Sequence, residues 1–153
     1  MIFTSFMNDY FIKGGLQKGD KVLLHSNLKC LFKSLLNKKI IFNVGDIADS
    51  ILEFLGPKGT LVLPTFNFDF CNGKPFSFLD TQSQMGIFSE FFRNKNKLNR
   101  TWHPVYSFSI HGNIPVDELK KIIIAHMEKI QFFIGFLLMM EKLPLSIFQI
   151  KKA

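Results

Sequence analysis

The chain has 153 residues, 47% of them hydrophobic and 20% charged, with a formal net charge of +7 and no proline- or serine-rich tract. That length supports one domain with a real hydrophobic core, and that composition excludes a disordered linker. The positive balance favours anionic partners such as phosphates, but no RRM-like, zinc-finger or helix-turn-helix signature accompanies it, so no nucleic-acid partner is expected.

In chain order, the apolar N-terminal segment from Phe3 to Ile12 predicts an amphipathic helix stopped at Gly14-Gly15. It lacks the basic start and small-residue cleavage site of a signal peptide, so a cytoplasmic location is expected. Lys18-Gly19-Asp20 forms a turn, and KVLLH over residues 21–25 reads as a buried strand. Ser26, Asn27 and Leu28 follow as a loop at that strand's carboxyl end, where open α/β sheets bind ligands. Asn43 or Asp46 can cap the next helix, whose apolar face carries Ile47, Ile51, Leu52 and Leu55.

Gly56-Pro57-Lys58-Gly59 ends that helix, and TLVLP over residues 60–64 is a second buried strand. Strand, helix and strand joined by short turns imply a right-handed crossover and a largely parallel sheet. Residues 65–78 form a long aromatic loop, and Ile87, Phe88, Phe91 and Phe92 mark the apolar face of another helix. A third strand is expected over residues 106–110, and a helix near Pro115 carries Asp117 and Glu118 in its first turn. Beyond about His126 the sequence has no turn chemistry that places it on a sheet, and its apolar run from Ile130 to Met140 is too short to span a bilayer. No membrane partner is expected.

Several residues carry candidate chemistry. His25-Ser26 sets an imidazole and a hydroxyl at a strand end, as a ligand contact or as a structural histidine. In His103-Pro104 the proline holds its predecessor out of helix and fixes the loop. Arg93, Lys95, Lys97 and Arg100 form a basic run that reads either as a solvated face or as a phosphate clamp. There is no P-loop, GxGxxG, GxSxG or HExxH, which leaves nucleotide hydrolysis, dinucleotide binding, serine-hydrolase chemistry and zinc proteolysis without direct support. Cys30 and Cys71 have no metal-ligand spacing and are expected as buried free thiols in a reducing compartment.

Four blocks, in order, resemble the aminoglycoside N3-acetyltransferase family, antibiotic acetyltransferases that lie outside the GNAT fold. KGDKVLLHSNLK is similar to the family's G-D-x-[hydrophobic]-H-[ST]-S-L segment, and LEFLGPKGTLVLPTFNF to its L-G-x-x-G-T-[hydrophobic]-P-T-[FY] segment. MGIFSEFFR resembles M-G-x-[hydrophobic]-x-E-x-[FL]-R, and NRTWHPVYSFSIHG resembles R-[ST]-x-H-P-x-x-S-[hydrophobic]-x-x-x-G. Together they cover roughly residues 16–112.

The resemblance implies an α/β fold with an αβα-type, largely parallel sheet, truncated relative to the family. It implies acetyl-CoA as co-substrate, no metal, and an aminoglycoside or other amino sugar as acceptor, with antibiotic resistance as the setting. His25, Ser26, Asn27, Met85, Gly86, Arg93, Arg100, His103 and Ser107 would face the pantetheine and phosphates. Asn27 stands where the family usually has Ser, so a backbone contact is expected there in place of a hydroxyl.

Family members run to roughly 260 residues or more, and their general-base histidine and its acidic neighbour lie in the later half. No catalytic residue of that kind is assigned here. Residues 1–126 are expected to form the acetyl-CoA side of the domain and residues 127–153 an aberrant tail. Read one frame away, codons for residues 127–131 and 139–142 allow G-K-D-S and D-G-K, as a frameshift near residues 120–126 would produce. The sequence thus reads as the N-terminal part of an N-acetyltransferase, inactive by itself, or alternatively as a non-catalytic CoA-binding or interaction module. Its oligomeric state is left open.

Overall fold

The computed structural model describes residues 2–25, 28–112, 114–115, 117–121 and 146–149. Its centre is a four-stranded sheet in the order β3-β2-β1-β4, built from β1 (Lys21–His25), β2 (Thr60–Pro64), β3 (Phe108–His111) and β4 (Ser146–Gln149). β1 and β2 occupy the positions expected from their apolar runs and pair in parallel, with Lys21 opposite Thr60. Both are buried along their middles, as strands covered on both faces must be.

The helix joining them, α3 (Val44–Leu55), starts in a reciprocal capping box. Asn43 Oδ1 accepts from the Asp46 amide at 3.0 Å, and the Asp46 carboxylate accepts from the Asn43 amide at 2.7 Å. Both residues proposed as caps are therefore used. Ile47, Ile51 and Leu55 are buried from α3 as expected, while Leu52 is half-buried at the border of that face.

A parallel sheet holds only for the central pair, because both flanking strands run antiparallel. The reason is local. The crossover through α4 (Ile87–Lys95) does return the chain alongside the sheet, where Arg100 bridges Ser109 and Thr101 and Asn99 exchange hydrogen bonds with Phe108 and Ile110. Residues 102–107 then fold back as a hairpin and insert β3, reversed, between that segment and β2. β3 consequently begins at Phe108, two residues later than the alternation suggested.

Two apolar clusters hold the sheet. Val22, Leu24, Leu61 and Leu63 face α1 (Ile2–Lys13), α3 and α4, which contribute Met7, Phe11, Ile51, Phe88 and Phe92. Leu23 and Val62 point the other way and pack with Phe66 and Phe108, partly covered by Met85, Ile110, Ile114 and Leu119. This division follows from the two-residue period of a strand. On this second face the described helix is confined to residues 117–121, whose Glu118 pairs with Lys21 at the start of β1.

Other expectations are corrected. α2 (Lys29–Asn37) follows β1 where only a loop was foreseen, and buries Leu31 and Leu35 beside Leu28. Cys30 and Cys71 are free but exposed: Cys30 lies off the buried face of α2, and Cys71 sits in the short 3-10 turn Asp69–Asn72 on the surface loop. The apolar face of α4 is rotated from the expected one. It buries Phe88, Ser89, Phe92 and Arg93, leaving Ile87 67% and Phe91 36% exposed. The tail, whose pattern offered no strand, contributes β4, antiparallel to β1 with Ser146 opposite His25. Residues 122–145, including the proposed boundary between 126 and 127, lie outside the described residues.

Candidate functional site

The strand registers gather the expected site at one end of the sheet. His25 and Pro64 end the two parallel strands, and Phe108, opposite Pro64, begins β3 at that same end. The loop after β2 therefore meets the hairpin before β3: the Thr65 amide donates to Ser107 O at 2.8 Å, and the Asn67 amide to Val105 O at 3.0 Å. Met85 is drawn in as well, half-buried against the cluster of Phe66 and Phe108, because Gln84 N donates to Phe66 O at 2.8 Å.

His25 is half-buried, and burial holds its imidazole below the usual histidine range, so it is neutral at pH 7. Ser26 and Asn27 lie outside the described residues. Gly86 is the N-cap of α4, exposed, at φ +103°, a left-handed conformation that favours glycine. No side chain caps that helix start. His103 is exposed, and its Nδ1 accepts from the amides of Tyr106 at 2.8 Å and Val105 at 3.2 Å. The His-Pro turn is thereby closed on itself, leaving the other ring nitrogen, Nε2, as the second polar position of the imidazole.

Arg93 and Arg100 are neither a solvated face nor an open pair of cations. They are 3% and 4% exposed, whereas Lys95 and Lys97 in the same run are exposed. Arg93 makes a two-pronged contact with Glu90 at 2.8 and 2.7 Å and reaches back to Leu79 O at 2.5 Å and Asn94 Oδ1 at 3.0 Å. Arg100 donates to Ser107 Oγ at 3.0 Å and to the carbonyls of Thr65, Phe78 and Thr81 at 3.1, 3.2 and 2.7 Å. Ser107 Oγ donates in turn to Thr65 O at 2.9 Å. Arg100, through three carbonyls, and Arg93, through Leu79 O, thus clamp the loop of residues 65–84 from behind, while the other donors of Arg93 tie it to Glu90 and Asn94 on α4.

Burial by itself would raise the Glu90 carboxyl. Hydrogen bonds from Arg93, the Ser83 amide and Asn94, with the Arg93 charge, outweigh it and hold the group below the usual carboxylate range. A carboxyl depressed on folding stabilises the fold above its unfolded pKa and loses that contribution as pH falls through the folded value. Melting temperature measured from pH 7 to pH 3 is therefore expected to fall less steeply in Glu90→Gln than in the parent, from a lower plateau at neutral pH. Parallel curves would remove Glu90 from this role.

The clamped loop encloses a polar cleft of about 290 Å³, which the sequence had shown only as an aromatic loop. Eight residues line it, among them Asn67, Asp69, Lys74, Gln82 and Gln84. Asn67, 5% exposed, accepts from the Asp69 amide at 2.8 Å and donates to Gln82 O at 2.9 Å. Asp69 accepts from Lys74 at 2.9 Å and from Gln84 at 3.1 Å. The Lys74 contact holds the Asp69 carboxyl below its ordinary range. The Asn67-x-Asp69 spacing, a side chain bonding the backbone two residues on, was the signal available for this feature. Among the described residues no group of three His, Cys, Asp or Glu is placed to hold a metal, and no helix is long and apolar enough to cross a membrane.

A mixed sheet with polar loops gathered at the carboxyl ends of its parallel strands defines an α/β protein of the kind that carries its site at strand ends. The chain belongs to the aminoglycoside 3-N-acetyltransferase family, whose model matches residues 23–117. No curated protein matches it by sequence. Among solved structures it is similar to YokD from Bacillus subtilis, with 21% identity, a TM-score of 0.60, and coverage of 72% of this chain and 50% of that one. The apoenzyme of aminoglycoside acetyltransferase AAC(3)-IVa gives 23% identity and a TM-score of 0.53, covering 71% of this chain and 39% of that one. AAC-IIIb, solved as a binary complex with CoASH, gives 16% and 0.55, covering 72% and 46%. At such identities the likeness speaks for the fold. The chain spans half or less of the length of each of these three structures.

Proposed function

We propose that the chain forms the acetyl-CoA side of an N-acetyltransferase acting on an amine of an aminoglycoside or other amino sugar. In that reaction the amine nitrogen attacks the thioester carbonyl, the C–S bond breaks, CoA leaves as its thiolate, and a base takes the amine proton. The observation that carries the reading is the convergence of His25, the Met85-Gly86 turn and the His103–Ser107 hairpin at one sheet end, within the segment that matches the family.

His25, Ser26, Asn27, Met85, Gly86 and His103 would contact the co-substrate directly. The uncapped start of α4 offers backbone amides and the positive end of a helix dipole to an anion. Arg100 and Ser107, which hold carbonyls of the loop of residues 65–84, and Arg93, which reaches that loop at Leu79 O, would serve by holding that wall in place. The proton acceptor belongs to the later half of the family's fold, so these 153 residues are expected to bind CoA without turning over. Cytoplasmic acetyl-CoA would be the source of the acetyl group.

Calorimetry with CoA and a thiol-release assay with acetyl-CoA and a panel of aminoglycosides test this. The expected result is saturable CoA binding, in the range of roughly 1 μM to 1 mM typical of enzyme substrates, with release at the background rate. Absence of binding by the folded chain sinks the acetyl-CoA reading. Clear turnover overturns the claim that the chain is inactive alone.

A further inference from the structure

None of the residues assigned to the candidate site lies at the carboxyl end of α2, yet that surface has a marked residue pattern. From Lys21 to Gly45 the chain holds five lysines and no acidic residue. Lys21 is paired with Glu118, while Lys33, Lys38 and Lys39 are exposed and form no ion pair among the described residues. Lys38 Nζ rests 5.9 Å from the centre of the Phe6 ring on α1.

α2 ends in a tight reversal. The Ile40 amide donates to Leu35 O at 3.0 Å and the Lys39 amide to Leu36 O at 2.9 Å, the paired bonds of a Schellman turn. Lys39 takes its left-handed position at φ +55° and is the only non-glycine residue at positive φ among the described residues. Glycine would sit there without the clash that a β-carbon brings. The reversal buries Ile40 in the cluster that holds Leu35 and sends the next side chain outward, so that Ile41 is 96% exposed. Phe42 then turns back and meets Phe32 of α2 at 5.1 Å, which anchors the chain on both sides of Ile41. Leu36, 66% exposed, lies one turn beyond Lys33 on the outer face of the helix.

Two bare aliphatic tips framed by three cations are the reverse of a protein-docking patch, whose centre is depleted of lysine and packed as a continuous apolar core. They suit a lipid–water boundary. Isolated apolar side chains enter the headgroup layer there without shape complementarity, and lysines lay their methylenes along it with the ammonium at phosphate level. Charge complementarity selects the lipid, because ammonium groups on a chain of formal net charge +7 are drawn to an anionic leaflet and not to a zwitterionic one.

We infer that the end of α2 and the turn after it form a peripheral contact with an anionic phospholipid surface. Leu36 and Ile41 enter the headgroup boundary, and Lys33, Lys38 and Lys39 bind lipid phosphates. This contact is independent of the acetyl-transfer reading. The expectation of no membrane partner rested on the shortness of the run from Ile130 to Met140, and a surface contact needs no spanning length. Three lysines and two aliphatic tips give reversible association, not a permanent anchor.

Co-sedimentation of the 153-residue chain with vesicles of phosphatidylcholine alone, or with phosphatidylserine added, tests the inference. Binding is expected only to the anionic vesicles and is lost in high salt. Lys38→Gln and Lys39→Gln should each weaken it about fivefold, and Ile41→Ser about tenfold. Lys39→Gly should weaken binding as Lys39→Gln does while keeping or raising the melting temperature, since it relieves the left-handed strain; this separates loss of charge from loss of fold. No binding to the anionic vesicles, equal binding to both kinds, or affinities unchanged in Ile41→Ser and the lysine variants overturns the inference. Self-association without vesicles that Ile41→Ser abolishes would assign the surface to a second copy and overturn it too. Equal affinity for soluble polyglutamate, insensitive to Ile41→Ser, would assign it to an acidic protein with the same consequence.

Discussion

Arg100→Met is expected to lower unfolding stability by about 3–5 kcal/mol, the cost of removing one member of a buried, fully engaged charged cluster. The side chain it deletes satisfies Ser107 Oγ and three carbonyls, those of Thr65, Phe78 and Thr81, none of which methionine can replace. Burial pushes the Arg100 guanidinium down to about 10, the like charge of Arg93 adds to that, and Glu90 opposes it. The group is therefore still charged at pH 7. Its folded value lies below the ordinary arginine range, so stability from this group rises with pH between the two and is flat near neutrality.

Neutral-pH denaturation consequently measures the hydrogen bonds themselves. Arg100→Lys keeps a charge but not the planar fork, and is expected to cost about 1.5–3 kcal/mol. Should Arg100→Met prove too unstable to purify, the lysine variant still decides the matter: a loss under about 0.5 kcal/mol would mean that water replaces the fork and that the loop is not clamped. Faster amide exchange at Thr65, with Gly59 and the other turn amides of the remote sheet end unchanged, is the local signature expected of either variant.

The central strands were legible because five-residue apolar runs flanked by turn residues admit little else, and β1 and β2 fall where KVLLH and TLVLP placed them. The cap of α3 was legible for a related reason, since Asn43 and Asp46 are spaced for mutual bonding. α2 was missed although Leu28, Leu31 and Leu35 carry a helical period, because its short sequence offers no side-chain cap and no acidic first turn.

The orientation of β3 could not be read from residues 85–112. A pattern of alternation reports which face is buried and says nothing of direction, and here a hairpin reverses the strand. Arg93 and Arg100 illustrate the same limit for the site. Their residue type announced charge and donors, but whether a guanidinium meets a phosphate or a loop carbonyl depends on a wall that is remote in sequence. Thr65 is 35 residues from Arg100. The family resemblance supplied what periodicity could not, namely that the ends of these strands belong together.

Phe108→Ala should produce a loss as large as that of Arg100→Met, from a different cause. Phe108 is fully buried at the start of β3 and, with Phe66, joins Leu23 and Val62 on the second face of the sheet. It meets Phe66 edge-on at 5.2 Å and 88°, and Phe66 meets Tyr106 edge-on at 5.2 Å and 86°. Truncation leaves a cavity and breaks that chain of rings, for an expected cost of about 3–5 kcal/mol, with Phe108→Leu costing under about 2 kcal/mol. The backbone should transmit the change to the site, because Phe66 lies between Thr65, held by Arg100 and Ser107, and Asn67, which shapes the cleft. Urea denaturation gives the first number, and an unchanged slope would show that the loss is one of native packing. The second readout is the amide of Gln84, which donates to Phe66 O at 2.8 Å and should lose protection in Phe108→Ala while largely keeping it in Phe108→Leu. Equal protection in all three proteins would uncouple the second core from the cleft and leave its wall to the arginine clamp and the hydrogen bonds of Asn67 and Glu90.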